Sequence, residues 1–250
     1  MISSKIIVGN WKMHKTAKEA VEYIHLLAPQ IAAATASVYL ALPFTSLFPA
    51  IAAAEETNII IGAQNMHHEQ QGAFTGEVSP LMLKALGADF VLIGHSERRT
   101  LFHETDAFIH KKVGAALKEG LEPILCIGEK EEERQSGKTK EVLEKQIHAA
   151  FSGLAKEEAQ KLRIAYEPVW AIGTGKRATA EMIQETHADI RVLLRQLYDV
   201  PTAHKIAILY GGSVKAANSR EILLLKDVDG ALVGGSSLDP TEFAQIVNHC

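Results

Sequence analysis

The sequence predicts a (β/α)8 barrel, and three observations carry that reading. Short apolar runs recur from one end of the chain to the other, segments with helical periodicity fill the gaps, and no linker or low-complexity stretch interrupts the alternation. The apolar runs are residues 5–8, 38–42, 59–62, 90–94, 123–127, 163–166, 206–210 and 231–234. They are nearly continuous in Ile, Val and Leu instead of alternating with polar residues, as expected of strands buried on both faces of a parallel sheet. Between the first two, residues 17–33 place Val21, Ile24, Leu27 and Ile31 three to four positions apart, with Lys18, Glu19 and Glu22 beside them, which is the pattern of a half-buried helix. Residues 141–151 and 181–197 read the same way, and Thr179 stands where a helix N-cap belongs. Right-handed crossovers on a repeat of ~30 residues build either an open doubly wound sheet or a closed barrel. Eight such units within 250 residues favour the barrel, as one domain over residues 1–250, with the open sheet as the rival arrangement.

Composition narrows the function classes. With 47% hydrophobic and 22% charged residues the chain has the make-up of a protein that buries a sizeable core. A formal net charge of −4 speaks against general affinity for nucleic acid or anionic membrane, while leaving room for a local basic pocket that takes an anionic metabolite. The two cysteines, Cys126 and Cys250, lack metal-like spacing and argue for a reducing compartment. Residues 1–5 carry no cleavable signal, and no apolar stretch approaches the ~18 residues that span a bilayer. A cytoplasmic location is the expectation.

The ends of the apolar runs carry the chemistry. They read Asn10-Trp11-Lys12, Pro43-Phe44, Gln64-Asn65, His95-Ser96-Glu97, Gly128-Glu129, Glu167-Pro168-Val169-Trp170, Gly211-Gly212-Ser213 and Gly234-Gly235-Ser236. In a barrel all of these converge on the rim where active sites form. The two Gly-Gly-Ser turns follow the last two strands, where backbone N–H groups and helix N-termini commonly close on phosphate; tight turning alone is the alternative. Lys12 at the barrel mouth can neutralise a substrate dianion and a developing oxyanion. His95 opens a helix whose first turn holds Glu97, a position that disfavours the imidazolium and keeps the ring a neutral donor. Glu167 is the candidate base for a C–H proton.

After Glu167, stiff residues bracket Gly173-Thr174-Gly175 in the way of a hinged lid that excludes water. This stretch is no nucleotide loop, because Trp170 stands where the first Gly belongs and Arg177 where Ser or Thr must hold magnesium. A metal site is not expected: the side chains of adjacent His67 and His68 should diverge, and His103 and His110 have no third ligand nearby. Cys126 reads as a small packing residue, since no His–acid pair stands beside it. The connection 64–79 is unusually long and carries Phe74 at its tip, which suggests insertion into another subunit.

Taken together and in this order, Gly9-Asn10-Trp11-Lys12, Gly72-Ala73-Phe74-Thr75-Gly76-Glu77, Gly94-His95-Ser96-Glu97-Arg98-Arg99, Cys126-Ile127-Gly128-Glu129, the stretch from Ala165 through Glu167 to Lys176, and Tyr210-Gly211-Gly212-Ser213-Val214 resemble the triosephosphate isomerase family from residue 9 to about residue 238. Gln64-Asn65-Met66-His67 is similar to its bacterial branch. The resemblance implies a cofactor-free aldose–ketose isomerase acting on a triose phosphate through an enediolate. It implies Glu167 as the base, neutral His95 as the group that polarises the carbonyl, and Asn10 and Lys12 as stabilisers of the enediolate. Backbone amides of Gly173, Ser213, Gly234 and Gly235 would hold the phosphate. Glu97 would support Lys12, with Cys126 behind the catalytic groups. Ile172 and Leu232 would close over Glu167, Trp170 would belong to the lid, and Tyr210 with Ser213 would latch it. Thr75 and Phe74 would enter the partner's site in a homodimer. Three positions depart from the family's usual residues: Arg177 at the end of the lid, Ser236 beside the phosphate turn, and Ala180 at the first position of a helix.

Overall fold

A computed structural model describes residues 4–173 and 175–250. Met1, Ile2, Ser3 and Thr174 lie outside the described residues, and with them part of the reading of the N-terminus and of the Gly173-Thr174-Gly175 stretch expected to form a lid. Eight parallel strands close into a barrel in sequence order: β1 (Ile6–Asn10), β2 (Ser37–Leu42), β3 (Ile59–Ala63), β4 (Phe90–Ile93), β5 (Glu122–Ile127), β6 (Arg163–Tyr166), β7 (Ala207–Tyr210) and β8 (Gly230–Val233). Closure is made by β1 against β8, with Ile7 paired to Ala231 and Val8 to Leu232. The expected barrel, and not the rival open sheet, is the arrangement, and every expected apolar run overlaps a strand.

The outer layer comprises α1 (Ala17–Leu27), α2 (Phe44–Ala54), α3 (Pro80–Leu86), α4 (Ser96–Leu101), α5 (Asp106–Glu119), α6 (Glu131–Gln135), α7 (Thr139–Phe151), α8 (Lys156–Ala159), α9 (Ala180–Leu197), α10 (Val200–Lys205), α11 (Ala216–Leu223) and α12 (Pro240–Val247). Local chemistry marks their starts. The Thr16 hydroxyl accepts the Glu19 amide while the Glu19 carboxylate accepts the Thr16 amide, a reciprocal cap. Thr179 caps α9 through the Met182 amide, as its position in the sequence predicts. The helix expected over 17–33 ends at Leu27 and tightens into a 3-10 turn, Ala28–Gln30, around Pro29; proline has no N–H to continue the α ladder.

Strand alternation divides the core in two. Ile6, Val8, Phe90, Leu92, Ile124, Cys126, Ala165, Leu209 and Leu232 belong to the cluster that fills the barrel, while Ile7, Leu40, Val91, Leu125, Ile164 and Ile208 pack beneath the helices. Cys126 is fully buried among these inner residues. Burial, and secondarily the Glu167 carboxylate, push its thiol well above the usual range, so it stays a packing group.

Candidate active site

Each catalytic candidate leaves the end of a strand. Asn10 closes β1, and the chain then turns at Lys12, whose backbone has a φ of 52°. A left-handed lysine costs roughly 1–2 kcal/mol. The turn is pinned by the Asn10 carboxamide oxygen, which accepts the Lys12 amide at 3.1 Å, and by the Gln64 amide, which donates to the Lys12 carbonyl at 2.8 Å. The Lys12 ammonium lies 2.5 Å from the Glu97 carboxylate.

His95 is the residue before α4, and its Nδ1 accepts the Glu97 amide at 3.3 Å. Because Nδ1 faces a donor, the proton of the neutral ring sits on Nε2, which lies 3.0 Å from Glu167 Oε1. The other Glu167 oxygen accepts the Ser96 amide at 3.0 Å. Both side chains are buried, with Glu167 only 2% exposed. Burial lowers the His95 pKa, but the adjoining Glu167 carboxylate outweighs it and the net shift is upward. Burial would raise Glu167, yet His95 and the Ser96 amide together hold it below the usual carboxylate value. The neutral ring expected from the helix start alone is therefore opposed, in this arrangement, by the carboxylate docked on it.

Two glycines make room for Glu167. A Cβ on Gly128 would stand 1.7 Å from the Glu167 carbonyl oxygen, and one on Gly211 would stand 2.8 Å from Glu167 Cγ. Neither position accepts a larger residue without displacing β6 or the carboxylate.

Asn10, Lys12, His95, Glu167, Ile172, Gly173, Ser213, Leu232, Gly234 and Gly235 all line one cleft of about 380 Å³. Gly235–Ser237 forms a 3-10 turn whose first amides have no intrahelical partner. Gly234 lies on the Lys12 side, since a Cβ there would meet Lys12 Cε at 3.7 Å. An amide-rich wall thus faces a wall carrying a carboxylate, an imidazole and an ammonium. That arrangement suits an anionic substrate whose C–H proton is to be moved.

A model of the triosephosphate isomerase family matches residues 5–250. The chain belongs to the triosephosphate isomerase family. A relative named triosephosphate isomerase from Clostridium perfringens (strain SM101 / Type A) is 51% identical over 244 residues, covering 98% of each chain. Relatives of the same name from Fusobacterium nucleatum and Acetivibrio thermocellus are each 49% identical, covering 97% and 99% of this chain and the same shares of their own lengths. Such family membership makes the chain an isomerase.

Other candidates occupy separate places. Tyr210 closes β7 and is buried; Trp170 lies in a 3-10 turn, Val169–Ala171, shortly after β6. Phe74 and Thr75 sit on the exposed 64–79 loop rather than in this cleft. The expectation that His67 and His68 diverge is not met: their ring centroids are 4.5 Å apart, and Phe74 covers His67 at 4.2 Å. The rings pack because both are held in the root of that loop, where His67 Nδ1 accepts the Glu69 amide.

Sequence reasoning missed two features. Glu129, fully buried after β5, accepts from Trp170 Nε1 at 2.8 Å, Tyr166 Oη at 3.1 Å and Arg134 at 3.2 Å, and so anchors the 3-10 turn Val169–Ala171. Its only sequence signal is an acid directly after a strand. The other is the Ser96 amide that docks Glu167, a backbone group and so invisible to residue type.

Proposed function

We propose that this cleft interconverts dihydroxyacetone phosphate and glyceraldehyde 3-phosphate with no cofactor, in one barrel domain, with Glu167 moving the proton. The observation that carries the assignment of roles is the buried Glu167 carboxylate, held by His95 Nε2 and the Ser96 amide beside the Lys12 ammonium. Glu167 rotates off these partners onto the substrate and takes a proton from C1 of the ketose. The C–H electrons form the C1–C2 double bond, and the carbonyl electrons move onto O2. Lys12, the Asn10 carboxamide and the Nε2 proton of His95 stabilise that oxyanion. The protonated Glu167 returns its proton to C2, and one proton passes from O1 to O2 with His95 as the carrier. When Glu167 leaves the ring, the charge that raised the His95 pKa leaves with it. Burial then keeps the imidazole neutral, as a donor must be. Backbone amides of Gly173, Ser213, Gly234 and Gly235 hold the phosphate, and Ile172 and Leu232 close over the base to exclude water.

The working unit is a homodimer. Support comes from the exposed apolar surface beside the cleft, where Met13 is 94%, Phe102 62% and Phe74 43% exposed. A second cavity of about 460 Å³, bounded by Lys12, Met13, Phe44, Gln64, Glu97 and Phe102 among others, adjoins the active site and suits the Phe74–Thr75 tip of a second copy. The loop root is rigid, because buried Lys112 donates to Asn65 and Glu104, each at 2.7 Å. The free thiols suit a cytoplasmic protein, and no helix among the described residues is long and apolar enough to cross a membrane.

The test is a coupled assay with glyceraldehyde 3-phosphate on the parent and on Glu167→Gln. Loss of the base acts on the transition state, so turnover should fall at least ~10³-fold while a phosphate-bearing inhibitor still binds. A fall of less than about tenfold removes Glu167 from the role of base.

A further inference from the structure

On the reading that this cleft takes a triose phosphate, we infer that Lys215 is the cation that draws the phosphate dianion in and tunes the site for dianionic substrates. The residues lining the cleft include two lysines, Lys12 and Lys215, and Glu167. Lys12 is already offset by Glu97 at 2.5 Å. With His95 neutral, the catalytic wall therefore carries a formal surplus of one negative charge before the substrate arrives. A phosphate dianion adds two more. Backbone amides supply only partial charges. Lys215 is the other cationic residue of the cleft lining, and it forms no ion pair with a carboxylate among the described residues.

Its place in the fold fixes its task. Lys215 is the residue before α11, two positions after Ser213 on the phosphate wall. Its amide donates to the Asn218 side chain at 2.7 Å, and Asn218 in turn donates to the Ser213 carbonyl at 3.0 Å. The turn that presents the Ser213 amide is thereby the turn that carries Lys215. A cation at a helix N-terminus opposes the helix dipole, and Ser, Thr, Asn or Asp would cap the helix better. Helix stability therefore gives no reason for lysine here, whereas an incoming dianion does. The side chain is exposed, so its pull acts through solvent and is screened by salt.

The experiment compares the parent, Lys215→Gln and Lys215→Arg. Affinity for inorganic phosphate is measured by calorimetry, and kcat/KM for glyceraldehyde 3-phosphate is measured from about 10 mM to about 500 mM salt. Lys215→Gln should lose about fivefold in both quantities at low salt, mainly through KM, and the loss should shrink below about twofold at high salt. Lys215→Arg should restore the affinity and the salt slope. A Lys215→Gln protein with the parent's phosphate affinity and the parent's salt slope overturns the inference. Failure of the functional reading shows separately, as a parent chain that does not interconvert the triose phosphates.

Discussion

Acidification from about pH 7 to about pH 5 should cost this fold roughly 2 kcal/mol through one side chain, His187. The ring is fully buried in α9, with Tyr166 at 5.8 Å and Tyr210 at 6.3 Å between ring centroids. Its Nδ1 lies 3.1 Å from the Asp227 carbonyl oxygen, so the neutral tautomer donates there. Its Nε2 has no protein partner among the described residues. Burial, and to a smaller degree the Arg191 charge, push its pKa from 6.5 down to about 4 against the pull of Asp227. The unfolded chain therefore binds a proton at a pH where the folded chain refuses it. Stability from this group is complete above the unfolded value of 6.5 and is lost as pH falls toward about 4. At 1.36 kcal/mol per pKa unit the whole gap is worth up to about 3.4 kcal/mol, of which roughly 2 is gone by pH 5. In a chain of this size that is a fall in melting temperature of about 4–8 °C. Denaturant unfolding of the parent and of His187→Asn at several pH values isolates the effect. Asparagine keeps a donor for the Asp227 carbonyl, so the variant should be weaker at neutral pH through lost packing but should show a flatter acid limb. Parallel pH profiles for the two proteins would refute the reasoning, because the acid loss would then belong to other groups.

Ala180→Pro should be neutral or stabilising by roughly 0.4–1 kcal/mol, since Ala180 is the first residue of α9 and Thr179 before it is extended, with φ −75° and ψ 162°, a conformation open to a pre-proline residue; a lower melting temperature would show that the ring does not fit. Replacing Ala73-Phe74-Thr75 with a short polar turn should give monomers of low activity, because the loop tip is assigned to the partner's site; sedimentation decides, and a dimer of unchanged affinity removes that assignment.

The apolar runs and their helical spacers determined the barrel without reference to any long-range contact, because strands buried on both faces need no polar alternation and eight such units fill the chain. Thr179 was legible for the same reason, since a cap acts within one turn, whereas the apolar spacing that continues to Ile31 hid the break at Pro29. Asn10, Lys12, His95 and Glu167 stood out because each ends a strand, and a closed parallel barrel brings strand ends to one rim.

Only the tertiary structure decided how those groups use one another. The sequence determined a histidine at a helix start and an acid after a strand; folding set Glu167 on His95 Nε2 and on the Ser96 amide, which reverses the direction of the histidine's shift while the carboxylate is docked. Glu129 as the anchor of Trp170, His67 stacked on His68, and His187 shut in beside Tyr166 and Tyr210 likewise join residues from different strands, helices and loops or depend on how a chain segment packs. Electrostatic coupling and desolvation act across space, and one-dimensional spacing does not encode those distances.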